Sequence, residues 1–176
     1  MVIVYKFLAA SLIALTHTSG TGDPSKVKPL GMIQGGVSLI GFPLVRMIQN
    51  QEQWNELWTL HKGIPGVPSA SGGIVNADAQ RPPNVDFAKS QVLVVFGGQV
   101  ANVQAYDYVR TVVRDKDAVI QLAPNPYPNN ALRVVATPFI MLVLPTEKVS
   151  ITVELDTIAQ DGSHFWAQLA RFSAPR

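Results

Sequence analysis

Hydrophobic and polar positions along this chain follow two periods. Trp54, Leu57, Trp58 and His61 recur at i, i+3, i+4 and i+7, so they share one face of an amphipathic helix over about residues 51–61. Both ends of that helix are marked. Asn50 stands at the N-cap, Gln53 three residues later makes a variant of the capping box, and Glu52 suits the positive end of the helix dipole. Gly63 followed by Pro65 stops it.

Elsewhere the signals are those of strands. Residues 37–40 and 44–48, separated by Gly41-Phe42-Pro43, read as two short strands or one bent strand. Residues 92–96 (VLVVF) form a β-branched run closed by Gly97-Gly98, which predicts a central strand buried on both faces. Residues 106–113 alternate, placing Tyr106, Tyr108, Arg110 and Val112 on one face. A charged turn at residues 114–117 then leads back through 118–122 as a hairpin. Residues 138–144 are a further apolar run ended by Pro145. Asp161-Gly162 between residues 149–157 and 164–172 predicts a C-terminal hairpin. Residues 64–83 and 124–130 are rich in turn-forming residues and read as loops. The expected fold is α+β: a mainly antiparallel sheet, small sandwich or roll, packed by one helix.

Composition narrows the class. With 47% hydrophobic and 15% charged positions in 176 residues, the chain can bury one core without staples. A net charge of +2, with the basic residues spread singly, supplies no stripe for nucleic acid. The absence of cysteine excludes disulfide frameworks, zinc ribbons, iron–sulfur clusters and thiol nucleophiles. Residues 7–15 (FLAASLIAL) follow Lys6 and precede a small, polar stretch. Residues 1–20 are therefore expected to be a signal peptide cleaved near Ser19 or Gly20, and its apolar run, interrupted by Lys6, is shorter than the ~20 residues a spanning helix needs. Residues 21–29 read as a linker and 30–176 as a single β-rich domain. Export to a periplasmic or extracellular location is the expectation.

Candidate chemistry is sparse. His61 closes the helix, where the dipole accounts for a histidine, and His164 stands at the mouth of a hairpin. No G-x-S-x-G surrounds Ser69, Ser71 or Ser163. Nothing selects a pair among Asp86, Asp107, Glu154 and Asp156, and Asp115-Lys116-Asp117 lacks the remaining ligands of a calcium loop. Gly97-Gly98 is not followed by a phosphate-loop lysine. No catalytic residue, cofactor site or metal site is therefore expected. Trp54 and Trp58 read as core rather than as a sugar-stacking platform. Tyr127, among Pro124, Pro126 and Pro128, is the candidate for an exposed partner contact.

One ordered set of features carries a resemblance: the Trp54-x-x-Leu57-Trp58 helix, then Pro83-Asn84-Val85-Asp86-Phe87 leading into residues 92–98, then a tyrosine-bearing strand, a hairpin and Thr137-Pro138-Phe139. Over about residues 44–146 the chain resembles the C-terminal domain family of the protease complex subunit PrcB. It departs from that family at Gln104-Ala105-Tyr106, where Gly-Gly-Tyr is frequent, and in its Asp161-Gly162 hairpin. The shared motif makes sense as structure: Pro83 orders a strand entry, Asp86 accepts backbone N–H groups in the turn, and Phe87 anchors it. The resemblance implies an exported accessory protein that is not an enzyme and that stabilises a protein partner such as a secreted protease. A carbohydrate-binding or cell-surface module and a hydrolase with a dispersed triad are the competing expectations.

Overall fold

The computed structural model describes residues 22–63, 81–128 and 134–174. The expected signal peptide, most of the loop at 64–83 and the end of the loop at 124–130 lie outside them. A short 3-10 turn, Pro24–Lys26, precedes β1 (Gly31–Gly35), β2 (Pro43–Ile48), α1 (Gln51–Lys62), β3 (Ser90–Gly97), β4 (Val100–Ala101), β5 (Val103–Arg114), β6 (Asp117–Pro126), β7 (Val135–Ala136), β8 (Phe139–Pro145), β9 (Ser150–Ile158) and β10 (His164–Phe172). The fold is a sheet-rich α+β arrangement. A first sheet, in the order β1-β8-β3-β2, is antiparallel throughout, and a second is ordered β10-β9-β6-β5. In the second sheet β6 and β9 run parallel, and the chain between them passes through β8 of the first sheet.

Alternation along β3 and β8 explains the layers. Leu93, Val95, Ile140, Leu142 and Leu144 face Ile120, Leu122, Ile151 and Val153 of the second sheet and make the sandwich interior. Val92, Val94, Phe96, Phe139 and Met141 point the other way and are covered by Trp54, Leu57 and Trp58 of α1. A strand buried on both faces needs apolar residues at every position, which is why 92–96 reads as an unbroken run. Gly97 has no alternative here, since a side chain would run into the Tyr106 hydroxyl.

The helix is capped as its sequence predicts and runs one residue further. Asn50 Oδ1 accepts from Gln53 N at 2.9 Å, Gln53 Oε1 accepts from Gln49 N at 3.0 Å, and Gly63, at φ +92°, donates its N–H to Thr59 O.

Three expectations change. Residues 37–40 do not form a strand, because their backbone groups bond elsewhere: Ser38 N donates to Thr137 Oγ1 and Leu39 N to His61 O, while β1 lies earlier in the chain. Second, a bulge between Tyr108 and Arg110 breaks the alternation of β5. Tyr106 and Tyr108 therefore face the interior, whereas Arg110 and Val112 lie opposite Gln121 and Val119 on the outer face. Third, the described part of the expected linker, residues 22–29, packs against the domain instead of trailing from it. Val27 is fully buried in the sandwich core, and Gly22 N donates to Lys148 O.

Candidate functional site

The two sheets meet along two seams, and the seams differ. At the first, β1 lies against β5: Gln34 Nε2 donates to Asp107 Oδ1 at 3.0 Å, and Thr137 N donates to Gly36 O. Gly36 approaches the Gln104 carbonyl so closely that no side chain fits. At the second seam, between β2 and β10, the sheets part around a cleft of about 380 Å³. Val45, Met47, Val149, Ile151 and Phe172 give it apolar walls, and Arg46, Gln49, Gln91, Arg171 and Ser173 are its polar lining. Its volume falls within the range typical of ligand pockets.

Which part of β2 the cleft faces can be read from the numbering. A cavity against one face of a strand touches alternate residues, because successive side chains point to opposite faces. This one is lined by consecutive residues, 45, 46 and 47 on β2 and 171, 172 and 173 at the end of β10. It therefore opens onto strand edges, where backbone N–H and C=O groups project.

The four edges of the two four-stranded sheets are not equivalent. β5 carries two irregularities of register and β10 one, the devices that make an edge a poor template. β1 spans five residues and is held against β5. β2 pairs with β3 without a shift from Pro43 opposite Gly97 to Ile48 opposite Val92, and its other edge has no strand beside it among the described residues.

Gln91 sets the chemistry of the cleft's inner end. By parity it continues the inward row of Leu93 and Val95, is 4% exposed, and donates weakly through Nε2 to Pro145 O at 3.4 Å. Arg171 is bound to Asp117 at 2.8 Å. Arg46 shares its face of β2 with Leu44 and Ile48, is exposed, and has no ion pair among the described residues. No Asp or Glu lines the cleft.

None of the residues singled out from the sequence lines this seam. Trp54 and Trp58 are 1% and 6% exposed with their rings tilted by 58°, so they form core and no flat exposed platform. Trp54 Nε1 donates to Pro83 O at 2.9 Å, which ties the Pro83 segment to the helix. Asp86 Oδ1 accepts from Ala88 N at 3.1 Å, and Phe87 packs partly buried against the helix-side core with Leu57. Tyr127 is half-buried, its N–H directed at Asn102 O.

His61 needs a different account from the helix dipole. The ring is 1% exposed among Trp58, Phe96 and Phe139, with Nδ1 2.8 Å from Ser38 Oγ. Burial, reinforced by the Lys62 charge, pushes its pKa down to about 4, so the ring is neutral at neutral pH and places no cation at the helix end. Ser38 and His61 are also the nearest approach to a hydrolytic pair. Ser38 is buried, its Oγ accepts from Ile40 N, and the ring has no carboxylate partner among the described residues. At the C-terminal hairpin His164 Nδ1 lies 3.0 Å from both Asp156 oxygens, while the Ser163 hydroxyl donates to Asp161 Oδ1 at 2.6 Å. The four carboxylates weighed as acid–base candidates are dispersed: Asp107 binds Gln34 and Asn125, Glu154 binds Arg114 and Gln121, Asp156 faces His164, and Asp86 caps its turn. No cluster of three metal-ligating side chains occurs among the described residues.

Sequence reasoning missed Gln91, Arg46 and Arg171. Gln91 was within reach, because it is the one polar residue at inward parity beside a run predicted to be buried on both faces. No family model, no curated protein and no solved structure matches this chain.

Proposed function

We propose that the protein is an exported, non-catalytic interaction module that accepts an extended segment of a partner protein along the open seam and stabilises that partner. The observation that carries this reading is the coincidence of the unshifted edge of β2, beside which no strand lies among the described residues, with a cleft lined by consecutive residues of β2 and β10. Strand addition uses such an edge: main-chain hydrogen bonds supply affinity, and pockets beside the edge select side chains. A secreted protease is the partner class that the PrcB-like resemblance implies, and binding without turnover fits a molecule whose Ser–His pair is sealed in the core. The apolar run at residues 7–15 supports export.

A photo-crosslinking residue at position 46, introduced into the full chain in an exporting host, tests the reading. The same residue at position 164, on the distant hairpin, is the control. A discrete protein adduct from position 46 and none from 164 is the expected result. Equal adducts from both positions, or none from 46, would argue against the seam as the binding surface.

A further inference from the structure

The pleat of β2 dictates what a segment beside it would present. Val45 and Met47 point toward the sandwich interior, and Leu44, Arg46 and Ile48 toward the helix side. A strand laid along β2 continues that pleat, so its residues alternate between the same two environments. Those directed inward meet the walls made by Val45, Met47, Val149, Ile151 and Phe172, with the Gln91 amide at the inner end. The residue opposite Arg46 meets an exposed guanidinium that no carboxylate neutralises among the described residues, in a cleft with no acidic lining. The other arginine is already committed to Asp117, which leaves Arg46 as the selector.

We infer that the seam is specific for an extended partner segment that alternates apolar with acidic residues, the apolar row entering the cleft and a carboxylate pairing with Arg46. This rests on the strand-addition reading of the seam and adds the chemistry of the partner. A cross-strand pair of opposite charge is favourable while like charges directly opposite are unfavourable, so the sign of the outward row decides which segments bind.

The test uses three labelled octapeptides titrated into the folded chain, read by fluorescence anisotropy and by amide shifts at residues 44–48. One alternates valine with glutamate, one alternates valine with lysine, and the third is the glutamate peptide N-methylated at every residue, which removes the backbone donors of both edges and leaves side chains unchanged. The expected result is at least tenfold tighter binding of the glutamate peptide than of the lysine peptide, loss of binding on N-methylation, and reversal of the charge preference in Arg46→Glu. Equal binding of the first two peptides, abolished by N-methylation, would overturn the acidic specificity and leave strand addition standing. Binding indifferent to N-methylation, or no binding of either peptide, would overturn strand addition and the specificity with it. A dimer in sedimentation with residues 44–48 already protected would identify a second copy as the occupant and overturn the proposal.

Discussion

On the outer face of the first sheet, Val92, Val94, Phe96 and Met141 lie beneath Trp54, Leu57 and Trp58 of α1. On the outer face of the second sheet, Val119, Gln121, Thr152 and Glu154 are as deeply buried, yet no helix lies over them among the described residues. Their cover is made of side chains that reach across strands. Arg114 donates to Glu154 at 2.6 Å, Gln121 Nε2 to Glu154 at 2.9 Å, and Arg110 Nε to Gln121 Oε1 at 2.8 Å, a chain of bonds spanning β5, β6 and β9. Arginine and glutamate stems shield carbon beneath them while their heads stay near water. A sheet face can thus be withdrawn from solvent by an added layer of apolar volume or by its own polar residues lying flat and satisfying one another. The first solution needs the helix; the second needs each partner of the network.

The largest expected effect tests the helical cover. Trp54→Ala removes the side chain that fills the space over β3 and also its bond to Pro83 O, and should cost about 3–5 kcal/mol in urea unfolding. A cost near that of an exposed substitution would show that the helix is dispensable. Next comes Glu154→Leu, which matches the apolar character of the first face but leaves the buried Gln121 amide without its acceptor; a loss of about 1–3 kcal/mol is expected in the same assay. If the leucine variant is as stable as the parent, burial alone holds this face together.

Acid should separate the two faces by pH window. His61 takes up a proton near 6.5 when unfolded and only near 4 when folded, so the unfolded chain binds more protons between those values. Stability should therefore fall as pH drops from about 6.5 to about 4, and His61→Leu should flatten the stability profile in that window. For Glu154, burial alone would raise the pKa, but hydrogen bonds from Arg114 and Gln121 together with the Arg114 charge hold it below the ordinary 4.5. Its contribution is present above the unfolded value and is lost as pH falls through the lower folded one, so Glu154→Gln should alter the profile only below about 4.5. An unchanged acid limb in both variants would remove the basis for the distinction. The smallest effect belongs to Arg110→Ala at the exposed end of the network, expected at about 1 kcal/mol by thermal unfolding because the buried Gln121 Oε1 loses its donor.

These faces also explain what was legible in the sequence. The helix, the central strand at 92–96 and the two hairpins follow from local periodicity, and the structure contains all of them. The covered face of the first sheet announces itself, since an added apolar layer forces an unbroken apolar run. Glu154 and Gln121 read as ordinary outward positions of alternating strands, because burial by neighbours on three strands leaves no local trace. Residues 37–40 misled for a related reason: they are apolar enough for a strand, but Thr137 and the end of α1 compete successfully for their backbone groups. The open seam was equally hidden, since a cleft at strand edges depends on strand order, and nothing in β2 alone shows that β10 faces it.

The parallel pairing of β6 with β9 has a kinetic consequence. β5–β6 and β9–β10 are neighbours along the chain and can zip as independent hairpins within microseconds, whereas joining them requires closing a loop that itself contains β8. The second sheet is therefore completed only when the chain between its halves is also being sorted into the first sheet, which ties the two sheets into one rate-limiting event. Amide protons at Ile120, Leu122, Ile151 and Val153 should accordingly exchange only through global opening, in step with one another.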